Sequence, residues 1–169
     1  EDSEFAAKWQ ARCQAHVEEG IRDPIKVYEY MNRYYVQEGN KRVSVLKFFG
    51  GDVVTASVIQ ILPERNETPE SQLYYELLEF RRLSQISYVE FSKPGSYLQL
   101  QEMMGKAPDE PWTENERRDF SAAYYSFRQA YEAHGGNRLS STVGDAMLAV
   151  IQVYGYPALY SKTPSEIFQ

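Results

Sequence analysis

The sequence predicts an α+β fold in which a small sheet-containing core comes first and a group of helices follows it. Strand-like segments occur only in the first part of the chain, and apolar residues recur at helical spacing after Pro94-Gly95. The 169-residue chain is 43% hydrophobic and 14% aromatic, which is enough to build a core. We therefore predict an α+β core over residues 1–91 and a helical subdomain over residues 92–169.

The first part of the chain predicts a helix followed by a β-hairpin. The helix opens at Ser3 and ends at Gly20. Residues 25–31 and 34–37 are rich in β-branched and aromatic side chains and flank the turn candidate Asn32-Arg33. The apolar face of the helix carries Phe5, Trp9, Cys13 and Val17.

A short helix, a strand and a longer helix are predicted next. The short helix covers residues 41–49, with Val43, Leu46 and Phe49 on one face. Residues 53–62 alternate between small polar and apolar side chains, which is typical of a strand. A helix over residues 70–82 and a short strand over residues 88–91 complete the core.

The second part contains three clear helix starts. Ser96 begins a helix that runs to Met104, Thr113 to Glu116 form a capping box, and Thr142 begins a third helix. The inner faces are predicted to carry Phe120, Tyr124, Phe127 and Tyr131, and then Met147, Val150, Ile151 and Tyr154.

Both ends of the chain indicate a fragment of a longer protein. The sequence begins at Glu1 without a methionine, and a helix start at residues 163–166 comes just before the last residue. A single helical turn is not stable alone, so we expect an adjoining domain in the same longer chain.

Composition disfavours several classes of function. The net charge of −6 disfavours non-specific binding to a nucleic-acid backbone. The sequence contains neither a 20-residue apolar span nor a signal peptide. The single cysteine, Cys13, excludes an internal disulfide and fits a reducing, cytoplasmic compartment. Two distant histidines, His16 and His134, disfavour a zinc site.

The sequence disfavours two modes of contact with nucleic acid. The predicted helix from Thr142 to Tyr154 carries no cation, which disfavours sequence-specific DNA reading by a helix-turn-helix. Adjacent tyrosines admit base stacking, but half-buried packing is their commoner role and is preferred. The pairs are Tyr34-Tyr35, Tyr74-Tyr75 and Tyr124-Tyr125.

The stretch VQEGNKR, residues 36–42, predicts a phosphate cradle. A helix N-terminus presents unpaired amides and the positive end of the helix dipole, and a preceding glycine lets a ligand approach the backbone. Arg42 can hydrogen-bond two phosphate oxygens, Lys41 adds charge, and Asn40 can cap the helix or donate to an oxygen. Glu38 fits beside a phosphate only as a base or as a ligand of Mg²⁺. The competing interpretation is a plain strand-to-helix connection with Asn40 as N-cap.

Residues 18–58 resemble the core of the ParB/sulfiredoxin-like superfamily. The resemblance is carried by Asp23-Pro24-Ile25, by the box from Glu38 to Arg42, and by the helix stop at Gly50-Gly51, in that order and spacing. It implies that Gly39, Asn40, Lys41 and Arg42 hold nucleotide phosphates. It also implies a catalytic role for Glu38, by similarity to ParB-like free serine kinases.

The resemblance implies a second segment as well. Residues 76–91 are similar to the ParB segment that completes a nucleotide site, and the matching residues are Glu79, Arg81, Ile86 and Glu90. Sulfiredoxins carry a cysteine where this chain has Asn40, so sulfinic-acid reduction is disfavoured. The whole chain resembles an uncharacterised bacterial ParB-like region, which is associated with a basic-membrane-protein-type, periplasmic-binding-like module.

Three functions follow as hypotheses. The leading one is a nucleotide- or phosphate-binding regulatory module of a larger bacterial protein. The second is a Mg²⁺-dependent phosphotransferase or nucleotide hydrolase that uses Glu38. The third is a protein-interaction domain with a vestigial cradle.

Overall fold

The computed structural model describes residues 24–161, and the chain divides into two compact units between Pro63 and Glu64. The first unit contains a small mixed sheet and a helix, and the described part of the second is helical. Together they confirm the α+β class. The predicted helix from Ser3 to Gly20, with Cys13 and His16, and the helix start at residues 163–166 lie outside the described residues.

The sheet of the first unit has three strands in the order β2-β1-β3. Strand β1 covers Ile25–Tyr30 and pairs antiparallel with β2, Arg33–Glu38, and parallel with β3, Ala56–Ile61. Helix α1, Asn40–Phe48, connects β2 to β3. The structure therefore contains the predicted hairpin, short helix and following strand.

The hairpin turn lies one residue earlier than predicted. Met31 and Asn32 both have positive φ, of 52° and 61°, which matches the turn type whose twist suits a two-residue hairpin. The backbone amide of Asn32 donates to Glu29 Oε1 at 2.7 Å. Asparagine tolerates this backbone region, so Asn32 correctly predicted a turn. The central residues of the turn are Met31 and Asn32 and not the predicted Asn32 and Arg33.

Only one face of the central strand is buried. Ile25, Val27 and Glu29 alternate with the outward-facing residues of β1 and are at most 4% exposed. Helix α1 has no buried residue, and Phe49 is 52% exposed. The spacing of Val43, Leu46 and Phe49 therefore correctly predicted a helix, although none of its residues is buried.

The second unit contains the remaining helices. The longest are α2, Pro69–Ser84, and α4, Glu114–Ala133. The others are α3, Ser96–Met103, a 3₁₀ turn, Gly136–Arg138, then α5, Val143–Tyr154, and α6, Ala158–Ser161. Among residues 24–161 no helix combines the length and the apolar character needed to cross a membrane.

Capping side chains set where three helices of the second unit, α2, α4 and α5, begin. Thr113 and Glu116 form the predicted capping box of α4, and Thr142 and Asp145 form an equivalent box at α5. The predicted inner face of α4 is confirmed, since Phe120, Tyr124, Phe127 and Tyr131 are all buried. On α5, Met147 and Ile151 are buried as predicted, whereas Tyr154 is 51% exposed.

The boundary between the units falls 28 residues before the predicted one, because α2 packs with the helices that follow it. The ring of Phe80 lies 5.1 Å from that of Tyr97 and 5.5 Å from that of Trp112, measured between centroids. The amide of Trp112 donates to the carbonyl of Leu83 at 3.0 Å. Residues 64–91 therefore belong to the helical unit.

Residues 88–91 do not form the predicted strand. This segment runs instead along the N-terminus of α5, where Thr142 Oγ1 donates to the carbonyl of Glu90 at 2.7 Å. The amide of Ser92 donates to Asp145 Oδ1 at 3.0 Å. Alternating Tyr, Val, Glu and Phe predicted a strand, but side chains of the α5 capping box take the backbone groups that a neighbouring strand would have bonded.

Replacing Gly144 with alanine should destabilise the helical unit. A Cβ at this position would lie 2.3 Å from the carbonyl oxygen of Glu90 and 3.1 Å from the ring of Phe91. We expect a loss of about 2 kcal/mol or more in the free energy of unfolding, measured by urea denaturation, because backbone must shift to relieve the clash. Gln152→Ala, at an exposed position of α5, is the control; wild-type stability in Gly144→Ala would contradict the packing described.

A nearly buried lysine ties the α3–α4 connection to the start of α4. The Lys106 side chain is 4% exposed, and its Nζ lies 2.7 Å from Glu110 Oε1 and 2.9 Å from Glu116 Oε1. The hydrogen bond from Lys106, together with the Thr113 amide, lowers the pKa of Glu116 to about 2. Glu116 therefore contributes stability above its unfolded pKa, and this contribution is lost as pH falls towards about 2.

We predict that Glu116→Gln lowers the free energy of unfolding at neutral pH by about 1–2 kcal/mol, the usual contribution of a charge-assisted hydrogen bond. Glutamine preserves the capping box, so the loss reports the charge. The difference from wild type should shrink between pH 4.5 and about 2, measured by urea denaturation. Glu114→Gln, an exposed residue in the same turn, is the control. A difference independent of pH would contradict the ion pair.

Candidate functional site

Gly39 connects β2 directly to α1 and has a conformation reserved in practice for glycine. Its φ is 107° and its ψ 16°, and it is the N-cap of α1. A Cβ at Gly39 would lie 2.5 Å from Ile25 Cγ2, on the buried face of β1. The close approach of backbone to β1 therefore requires glycine for two separate reasons, backbone conformation and space.

The N-terminus of α1 has no side-chain cap. Asn40 is the first helical residue rather than the predicted cap, and its carbonyl accepts a hydrogen bond from Ser44 Oγ at 2.9 Å. The helical ladder starts where the amide of Val43 donates to the carbonyl of Gly39 at 3.0 Å. The amides of residues 40–42 precede this ladder and lie at the positive end of the helix dipole, an arrangement that suits an anion.

The first turn of α1 contains no acidic residue and contains both Lys41 and Arg42. Arg42 Nε lies 3.4 Å from the position that a Cβ on Gly39 would occupy, so the guanidinium group begins beside the helix start. Arg42 is half-buried, whereas Lys41 is exposed. Two cations in a first turn oppose the helix dipole, and an anion bound there would offset the repulsion.

Glu38 is engaged by a lysine of the neighbouring strand. Glu38 Oε2 lies 2.9 Å from Lys26 Nζ, and both side chains are more than half exposed. The hydrogen bond and the charge of Lys26 lower the pKa of Glu38, and the charge of Arg42 lowers it further. A carboxylate with a lowered pKa is a weaker base, so this geometry gives no support to Glu38 as a catalytic base.

The described residues of the first unit, 24–63, do not fit a protein-held Mg²⁺. Glu38 is the acidic member of the 36–42 stretch, and it is paired with Lys26. Within residues 24–161 there is no cluster of three or more carboxylate, histidine or cysteine side chains suited to a metal. A magnesium ion at this place would have to be carried by the phosphates of its ligand.

The predicted second segment belongs to the helical unit, whereas residues 39–42 belong to the sheet unit. Glu79 is bonded by Arg82 of the same helix, at 2.6 and 3.0 Å, and its pKa is lowered by that contact. Arg81 lies half-buried on α2, and Ile86 is buried. Glu90 has an exposed side chain and holds α5 through its backbone carbonyl.

Two residues that matter to this site were missed from the sequence. Ile25 makes Gly39 necessary, and Lys26 neutralises Glu38. Both depend on the pairing of β1 with β2, in which Lys26 faces Glu38 beside an irregularity between Lys26 and Val27. A register counted back from the turn at Met31-Asn32 would place Gln37 opposite Lys26, so the irregularity conceals the Lys26–Glu38 pair from the sequence.

No family model matches the chain, and no curated protein or solved structure shows significant similarity to it.

Gly39→Ala should cost more stability than Gly50→Ala. Both glycines have positive φ, but an added Cβ meets Ile25 at 2.5 Å in the first case and nothing within 4 Å in the second. We expect about 1 kcal/mol from backbone strain at Gly50, and at least about 2 kcal/mol more at Gly39 from overpacking. Thermal and urea unfolding followed by far-UV circular dichroism measure both. Equal losses would show that the Ile25 contact has no energetic weight.

Proposed function

We propose that the sheet unit binds the phosphate groups of a nucleotide at the N-terminus of α1, and that it serves as a ligand-sensing module within a larger bacterial protein. The observation that carries the proposal is the helix start itself. Gly39 is an αL N-cap without a capping side chain, and it is followed by amides and two cations with no acidic residue in the turn. Phosphate oxygens are negatively charged acceptors, and they can accept hydrogen bonds from several of these amides and cations at once.

The distribution of charge supports an anionic ligand for this unit. Residues 24–63 contain five lysines and arginines against three aspartates and glutamates, whereas residues 64–161 contain nine against fourteen. In the described part of the sheet unit, cations therefore outnumber acids, although the whole chain has a net charge of −6. The two cations in the first turn of α1 attract an anion locally even though the chain as a whole is acidic.

In the proposed complex each residue of the stretch has a separate role. The amides of residues 40–42 donate to phosphate oxygens, Arg42 adds a two-pronged contact, and Lys41 adds a mobile charge at the rim. Gly39 lets the chain turn directly from β2 into α1. The resemblance to ParB/sulfiredoxin-like proteins points to the same four positions. No observation favours phosphoryl transfer, because Glu38 is paired with Lys26.

The test is ligand binding by wild type and by Arg42→Ala. Titration calorimetry and thermal shift against pyrophosphate, ATP, CTP and GTP, each with and without Mg²⁺, should show binding by wild type. Arg42→Ala should weaken it about tenfold or more, the effect of removing one charge-assisted contact. Lys47→Ala removes an exposed cation from the other end of α1 and should bind as wild type does.

The outcomes separate the three functional hypotheses. Binding without turnover that is lost in Arg42→Ala supports the sensing module. Turnover that disappears in Glu38→Gln would replace it with the enzyme. No binding to any of the phosphates would overturn the proposal and leave a protein-interaction domain with a vestigial cradle.

A further inference from the structure

The face of the sheet opposite its buried side carries three tyrosines in register. Tyr28 in the central strand pairs with Tyr35 on one side and with Ile59 on the other. Two residues further along, Tyr30 pairs with Arg33 and Ile61. Cross-strand partners share a face, as do residues two apart, so these six side chains form one surface, which we call the tyrosine face.

The tyrosine face is open to solvent. Tyr35 is 53% exposed and Tyr30 43%, and the two isoleucines on β3 are nearly half exposed. Tyr28, between them, is half-buried. Aromatic and aliphatic side chains on adjoining strands are therefore exposed together on one small surface, which is a pattern that marks interaction sites.

The size of the face limits what can bind there. Three strands of six residues span roughly 20 Å by 14 Å, or about 300 Å². A stable protein–protein interface needs about 800 Å² from each partner. The face alone is too small for a stable dimer or a folded partner, and it suits flat groups placed one beside another.

The charges around the face favour an anion. Arg33 lies on the face and Lys26 and Glu38 lie at its end, where they neutralise one another. Among the described residues of β1, β2 and β3, no other acidic side chain lies on this face, since the remaining one, Glu29, is on the buried side. Within residues 24–161 the excess of acidic over basic side chains lies beyond residue 63.

We propose that the tyrosine face stacks the unpaired bases of a single-stranded nucleic acid. Every base has a flat π-face, and tyrosines on adjoining strands offer several stacking positions. Tyr28 and Tyr30 are two residues apart, or about 7 Å, a spacing that an extended single strand can follow. Gly39 follows Glu38 at the same end of the sheet as Lys26, so the strand continues towards the N-terminus of α1.

The stacking proposal rests on the proposed phosphate site only for the contact between the single strand and the N-terminus of α1. The stacking itself depends on the tyrosines, whereas phosphate binding depends on residues 39–42. A base-paired duplex hides its base faces, so duplex DNA should bind more weakly than a single strand.

The experiment is fluorescence anisotropy with a 5′-labelled octathymidylate and with the corresponding duplex. Wild type should prefer the single strand, and Tyr35→Ala should weaken its binding by about fivefold or more, the effect of losing one stacked base. Tyr35→Phe keeps the ring and should bind within about twofold of wild type. Tyr125→Ala is the matched control, because Tyr125 is 51% exposed but lies in the helical unit.

Circular dichroism on each variant excludes misfolding, and Tyr35 is chosen because an exposed residue on an outer strand is the least costly of the three to remove. Wild-type affinity in Tyr35→Ala, a duplex bound as tightly as the single strand, or no binding by wild type would each overturn the stacking proposal. Pyrophosphate binding, measured in parallel, separates the two sites: Tyr35→Ala should retain it, and Arg42→Ala should lose it.

Discussion

The close approach of Gly39 to the Ile25 side chain positions the rest of the sheet unit. At this contact the chain leaves β2 and enters α1, and there is no space for a Cβ. The residue must also hold a φ of 107°, so the turn into the helix is abrupt and no linker separates sheet from helix. As a result the start of α1 is fixed against the central strand. The amides of residues 40–42 and the side chain of Arg42 then have defined positions relative to β1.

The same contact explains which features of the site were readable from the sequence. A glycine between a β-branched, aromatic run and a short apolar run predicted a strand that passes directly into a helix, and the structure contains this connection. The identity of the neighbouring residue was not readable, because it depends on which residue of β1 lies opposite the end of β2. An irregularity between Lys26 and Val27 shifts that register, and local sequence carries no sign of it. Lys26 as the partner of Glu38 was missed for this reason.

In the helical unit, the differences between the predicted and the observed structure have another cause. The α4 face and both capping boxes could be predicted, because their signals lie within one element. The segment at residues 88–91 could not, since its backbone is bonded by Thr142 and Asp145, more than fifty residues away. The unit boundary was misplaced for the same reason, because α2 joins the helical core through Phe80 and its long-range ring contacts.

The sheet unit and the helical unit differ in charge, and this difference bears on function. An acidic chain is usually taken as a poor partner for phosphate, yet the excess of acid within residues 24–161 lies entirely after residue 63. Within the sheet unit, the buried Glu29 and the paired Glu38 leave the two exposed features, the α1 N-terminus and the tyrosine face, without a repelling carboxylate of their own strands. Phosphate groups and bases are two of the three parts of a nucleotide, joined by the sugar. In the sheet unit, the cationic start of α1 is suited to phosphate groups and the aromatic tyrosine face is suited to bases. Because the two features use different residues, loss of one kind of binding does not require loss of the other.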